Sequence, residues 1–144
     1  ALEVSTGRHG TGHRVTLPVM TALETVNAMI RALEQRDVET ALGYMTDDVE
    51  YDNVPMGKVF GHESVRTSLG PFLAGCSEIE WVIHHEAATG DVVMNERTDR
   101  FHFPHKWAEV KVAGLFVLRD GKVALWRDYF DLNQYMSQLQ GASE

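Results

Sequence analysis

The hydrophobic period of this chain switches partway along, from about 3.6 residues to 2, and that switch restricts its fold more than any other feature. In the first part Leu23, Val26, Ile30 and Leu33 recur at three- and four-residue spacing, with Glu24, Arg31 and Glu34 on other faces. This predicts an amphipathic helix to about Gln35, started by a capping box in which Thr21 precedes Glu24 by three residues. Asp37 is placed to cap a second short helix carrying Val38, Ala41, Leu42 and Met45. A third, centred on Val65, Leu69 and Phe72, is expected to end or bend at Gly70-Pro71, because proline has no N–H to give the helix.

After the third helix the spacing becomes alternate. Ile79, Trp81, Ile83 and Ala87 interleave with Glu80, His84 and Glu86, which describes a strand with one wet face. Gly90 marks a turn, Asp91 to Phe103 reads as a second strand, and Pro104-His105 turns the chain again. Trp107 to Arg119 follows as a third strand, Asp120-Gly121 as a tight hairpin, and Val123 to Asp131 as a fourth. A short closing helix is expected after Leu132, and Val49, Tyr51 and Asn53 share a parity in a short strand after the second helix. Helices first and hairpin-linked strands after is the α+β pattern: a curved antiparallel sheet with helices on one face, able to wrap around a pocket. No repeat, linker or second domain is visible, so residues 19–144 read as one domain. Residues 1–18, rich in Gly, Thr and His and without the apolar core of a signal peptide, read as a flexible N-terminal arm.

Composition narrows the partners. A net charge of −8 argues against a nucleic-acid or anionic-membrane surface, both of which need clustered Lys and Arg. Apolar stretches are broken by charges well short of the ~20 residues that a membrane span requires. With one cysteine, Cys76, no intrachain disulfide can form, and a bacterial cytoplasm is the expected setting. Cys76 itself carries no local signature of an activated thiolate and reads as an ordinary buried or loop residue.

Function enters through the strand faces. Odd positions of the second strand read Val93, Asn95, Arg97, Asp99, Phe101 and Phe103; even positions of the fourth read Ala124, Trp126, Asp128 and Phe130. Polar and ionisable groups thus share faces with large apolar ones, and a charge on a core-facing side is costly unless it is paired or used. Two arrangements satisfy this pattern. In one, Asp128 faces solvent, Trp126 and Phe130 pack on a partner chain, and Arg97 with Asp99 is a surface ion pair. In the other, all three face one cavity. There, mutual repulsion and burial keep one carboxyl protonated near neutral pH, and an arginine between them can hold both. The outcome is a general acid and a general base at one pH, with Tyr51 and Asn53 able to fix a water beside the base. Such a set suits addition of water across a strained bond.

Together, Tyr51-Asp52-Asn53, Glu96-Arg97-Thr98-Asp99 and the run Leu125-Trp126-Arg127-Asp128-Tyr129-Phe130-Asp131 resemble the limonene-1,2-epoxide hydrolases, within the nuclear-transport-factor-2-like or SnoaL-like superfamily. The resemblance spans roughly Val19 to Leu139 in element order. It implies a cone-shaped α+β fold, in which a curved antiparallel or mixed sheet and three to four helices enclose a pocket, usually in a homodimer. It also implies a cofactor-free, metal-free hydrolase that adds water to a small apolar epoxide in one step, giving a vicinal diol. Carried over residue by residue, Asp128 accepts a proton from water held by Tyr51 and Asn53, Asp99 protonates the epoxide oxygen, and Arg97 bridges the two. Trp126 matches a pocket position of the family, and Phe101, Phe116, Leu115 and Phe130 are the nearest apolar candidates for the remaining wall.

Two rival readings are weighed against this one. A ketosteroid-isomerase-like proton shuttle or a polyketide cyclase on the same fold uses one carboxylate opposite an oxyanion donor and needs no Asp-Arg-Asp bridge. A non-catalytic ligand carrier or adaptor has no use for two carboxylates and an arginine on pocket faces. The seven histidines do not suggest a metal site: His84 and His85 are adjacent and should point to opposite faces of a strand, and His102 with His105 straddles a turn. Glu50, Asp52, Arg127 and Asp131 fall on the parity opposite the candidate set, where solvated or partner-facing ion pairs are expected.

Overall fold

The computed structural model describes residues 19–140. The expected arm over residues 1–18 lies outside them. The chain runs α1 (Ala22–Glu34), α2 (Val38–Gly43), β1 (Met45–Asn53), β2 (Gly57–Phe60), α3 (Gly61–Ala74), β3 (Glu78–Thr89), β4 (Val92–Phe103), β5 (Lys106–Arg119), β6 (Lys122–Phe130) and α4 (Leu132–Gln140). The reciprocal capping box is formed at α1: Glu24 N–H donates to Thr21 Oγ1 at 3.1 Å and Thr21 N–H to Glu24 Oε1 at 3.2 Å. The helix buries Val26, Met29, Ile30 and Leu33 completely. Each such side chain contributes roughly 1.5–3 kcal/mol relative to exposure. Asp37 caps α2 through Thr40 N–H at 3.0 Å.

Helix α3 departs from expectation. It passes through Gly70-Pro71 and continues to Ala74. Pro71 stands in the last turn, so it removes only one intrahelical donor, while Leu69 and Leu73 anchor that turn in the core and Gly75 N–H closes it on Pro71 O at 3.1 Å.

Among the described residues, six strands form one sheet in the order β2-β1-β6-β5-β4-β3. The four consecutive hairpin partners are antiparallel, and Asp120 and Gly121 both take the positive φ (51° and 77°) that a tight two-residue hairpin requires. The sheet is mixed, however: β1 lies parallel to β6, and β2, absent from the sequence reading, pairs antiparallel with β1 at the edge. Helix α1 packs on β3 and α3 on β1. The core gathers α1, α2 and α3 around Val49, Val93, Phe116, Val123 and Trp126.

Two bulges correct the parity read from sequence. In β3, Ile83 opposes Arg97 and His85 opposes Glu96, so His84 is the extra residue. His84 and His85 therefore lie on the same outer side, within 2.8 Å of Thr98 Oγ1 and 3.3 Å of Glu96 Oε1 respectively, not on opposite faces. In β6 a bulge between Leu125 and Val123 puts Val123, not Ala124, into the core. Past it, even positions face inward, and Trp126 and Asp128 are buried.

Candidate active site

Sheet register decides which side chains meet. One rung across four strands reads Asn95 (β4), Gly114 (β5), Asp128 (β6) and Asn53 (β1); the neighbouring rungs place Arg97 beside Val112 and Phe130, Asp99 beside Val110 and Trp81, and Trp126 beside Tyr51. Arg97 thus has no acidic partner on its own rung. Its guanidinium reaches along β4 and diagonally across β5.

Along β4, Nε donates to Asp99 Oδ1 at 2.7 Å and Nη2 to Asp99 Oδ2 at 3.1 Å, a forked pair. Across β5, Nη2 also donates to Asp128 Oδ2 at 2.7 Å. Nη1 donates to Asn95 Oδ1 at 2.9 Å, and the guanidinium carbon lies 5.0 Å from the centroid of the Trp81 ring. Arg97 is 1% exposed, Asp99 4% and Asp128 5%. The surface ion-pair arrangement is therefore not the one adopted.

Burial opposes the charge on Arg97, but Asp128 and Asp99 outweigh it and hold the guanidinium above its ordinary pKa. Burial pushes the Asp99 carboxyl up to about 6, against the pull of Arg97, with Asp128 and Glu34 adding like-charge repulsion. Burial and then the Asp128 carboxylate raise the Tyr51 hydroxyl, so it stays a neutral donor and acceptor. Asp128 Oδ2 takes the arginine bond, while Oδ1 is buried with no hydrogen-bond partner. Asp99 uses one position on each oxygen toward Arg97 and keeps the others.

Asp99, Asp128, Tyr51 and Asn53 all line one cavity of about 380 Å³. The rest of its wall is mostly apolar, with Trp81, Leu69, Phe72, Phe101, Phe130 and Tyr135, and is joined by Lys58 and Ser68. Arg97 does not line it and lies behind the two carboxyls. Of the aromatic pocket candidates, Phe101 and Phe130 line the cavity. Trp126 and Phe116 do not: both are fully buried in the core, Trp126 covered by the Tyr51 ring at 4.3 Å between centroids. Leu115 is on the outer face, paired with Arg127. Arg127, also on that face, binds Asp52 at 2.8 Å and Glu50 at 2.9 Å.

Several residues of the site carried no readable signal in the sequence. Asn95, the third acceptor of Arg97, had the right parity but no reason to stand out from its strand. In the sequence Trp81 is one member of an apolar strand face and Phe72 one of a helix core, and Tyr135 lies in a helix with no buried residue of its own. Among the described residues, no three His, Cys, Asp or Glu side chains are grouped so as to hold a metal ion. Cys76 is buried, its thiol directed to Phe72 O at 3.4 Å.

Known proteins share this arrangement of elements. Residues 20–141 match the limonene-1,2-epoxide hydrolase catalytic domain. Epoxide hydrolase EphG of Mycobacterium tuberculosis is 34% identical over 117 residues, covering 81% of this chain and 78% of that protein. The solved structure of an M. tuberculosis LEH-like epoxide hydrolase superposes with a TM-score of 0.73 at 33% identity, over 83% of this chain and 89% of that one. The structure of a SnoaL-like protein from Shewanella denitrificans superposes with a TM-score of 0.74 at 19% identity, over 83% and 97% of the two chains, and shares the fold alone. The open curved mixed sheet with four helices is thus the nuclear-transport-factor-2-like, SnoaL-like fold. With a match that runs from the start of α1 to the end of α4, the chain belongs to the limonene-1,2-epoxide hydrolase family.

Proposed function

We propose that this protein is an epoxide hydrolase that adds water to a small apolar epoxide, giving a vicinal diol in one step by general acid and base catalysis, with no cofactor and no covalent intermediate. The observation that carries the reading is the buried guanidinium, which holds two carboxyls at 2.7 Å each at the bottom of an aromatic cavity. The Asp128 carboxylate takes a proton from a water that Tyr51 and Asn53, which line the cavity beside it, orient. The water oxygen bonds to one epoxide carbon as the C–O bond breaks, and Asp99 delivers its proton to the departing oxygen. Each transfer is typically worth ~10²–10⁴-fold. The net result is a neutral diol, a protonated Asp128 and an ionised Asp99; one proton moved from the first to the second restores the site. Arg97 keeps the two groups in one hydrogen-bonded unit and offsets their charge.

A one-carboxylate proton shuttle or an adaptor would leave the second aspartate and the bridge without a task, and burying a guanidinium with two carboxyl groups is costly. The substrate is small, since the cavity holds about 380 Å³, and apolar, since aromatic and aliphatic side chains make up most of the wall. We place the protein in the bacterial cytoplasm on its single cysteine, and as a homodimer on the apolar Met94 and Tyr129, which are 56% and 47% exposed on the strand faces opposite the cavity. The test is Asp128→Asn: diol formation should fall at least 10³-fold or so with the fold intact by circular dichroism. Hydrolysis near the parent rate would remove Asp128 as the base.

A further inference from the structure

We infer that Asn95 and Gly114 are positioning residues that aim the Arg97 guanidinium at both carboxyls at once, Asn95 by fixing its third nitrogen and Gly114 by leaving the space in which it lies. This rests on the hydrolase reading of the site.

Register makes the need specific. Arg97 shares its rung with Val112 and Phe130, so it reaches Asp128 only by leaning diagonally over the β5 backbone at position 114. A Cβ built at Gly114 would stand 2.4 Å from Arg97 Nη1, 2.6 Å from Asn95 Oδ1 and 2.9 Å from Phe116 Cε2. No side chain fits there without moving the guanidinium, the amide or both. Gly114 does not have a positive φ, so backbone conformation does not explain the glycine. Its neighbours on β5 at the same parity, Val112 and Phe116, carry full core side chains. The gap between them is filled by the arginine.

Asn95 completes the cradle. Its Oδ1 accepts from Nη1 at 2.9 Å, on the side of the guanidinium away from Nε and Nη2, which make the bonds to Asp99 and Asp128. The acceptor is neutral, so the guanidinium charge is divided between two carboxyls and not three. Asn95 is 5% exposed, and its Nδ2 is buried without a partner. A buried amide with half its capacity unused is a poor choice for packing alone. Its task is the one contact it does make.

The consequence falls on Asp99. The charged and titratable groups around it are Arg97 on its own strand, Asp128 on β6, Glu34 on α1 and Tyr51 on β1. Arg97 is the one that pulls its titration down. Loosening the guanidinium should therefore raise it, whichever residue of the cradle is changed.

The experiment compares wild type, Asn95→Ala, Gly114→Ala and Asp128→Asn on an apolar epoxide, and follows the Asp99 carboxyl by ¹³C NMR across pH. We expect kcat to fall on the order of 100-fold in both cradle variants with KM within about threefold. The Asp99 titration should move up by at least about half a pH unit, together with the basic limb of the kcat profile. Wild-type kcat and an unmoved Asp99 in Asn95→Ala would overturn the inference, as would an effect on KM alone. Should Gly114→Ala fail to fold, Asn95→Ala, which introduces no clash, decides the matter. A wild type that forms no diol would instead refute the hydrolase reading, while the NMR titration still reports on the cradle.

Discussion

Asp99→Asn turns the burial of this carboxyl into a measurable free energy. Asparagine has nearly the volume of a protonated aspartic acid and never ionises. In the folded chain Asp99 titrates at about 6, against 3.8 ordinarily. A carboxyl raised in this way contributes stability that is fully present below about pH 3.8 and is lost as pH climbs through about 6, because the native state then holds a charge it disfavours. At ~1.4 kcal/mol per pH unit, the whole gap is worth about 3 kcal/mol, of which about 2 kcal/mol falls between about pH 4.5 and about pH 8. Urea unfolding of both proteins at those two pH values reads it together with the response of Asp128, whose charge is coupled to that of Asp99; groups remote from the site cancel in the difference. The variant should gain about 2 kcal/mol on the parent as pH rises. A difference that stays constant within about 0.5 kcal/mol would show that Arg97 fully offsets burial. A change of opposite sign would show that the ion pair dominates. Either result would remove Asp99 as a proton donor near neutral pH.

Other outcomes follow from the same geometry. Arg97→Met leaves two carboxyls buried without their counter-ion and should cost about 3–5 kcal/mol at neutral pH, read by urea unfolding, with a smaller loss in acid, where the carboxyls accept protons. Tyr51→Phe keeps the ring on Trp126 and removes only the hydroxyl; kcat should fall about tenfold or more with the melting temperature shifted by no more than a few degrees. Because the proposed acid must be protonated, kcat/KM should decline with rising pH on a limb governed by Asp99, near pH 6 in the free enzyme. Thr21→Ala removes the capping box of α1 and should cost about 1 kcal/mol without altering kcat.

The elements most legible in the sequence were those whose signals are local. Thr21 with Glu24 and Asp37 with Thr40 act over three residues, and Asp120-Gly121 sets its own hairpin. The β4 face was equally plain, because a twelve-residue strand repeats its parity from Val93 to Phe103. What was missed depends on distant partners. Strand β2 has four residues and no alternation, so only β1 makes it a strand. The parallel pairing of β1 with β6 joins segments about seventy residues apart, and no residue in either announces it. The extra residue at His84 leaves no trace in composition, yet it moves a histidine to the other side of the sheet.

The site divides along the same line. Arg97 and Asp99 stand two apart on one strand and could be read together, and Asp128 could be added from its own alternation. Their meeting, however, required the rung Asn95–Gly114–Asp128. Trp126 and Phe116 share the parity of the charged residues, but parity separates faces and not depths. Both lie deeper in the core, and Trp81, Phe72 and Tyr135, from β3, α3 and α4, form the wall they were expected to form.

The most direct test of the account is a single turnover in ¹⁸O-labelled water with enzyme in excess over an apolar epoxide. If Asp128 activates water for one-step attack, the first diol formed carries the heavy oxygen and the protein carries none. Unlabelled diol from that turnover, with ¹⁸O later found in the carboxyl of Asp128 or Asp99, would mean an ester to the protein and would contradict the mechanism.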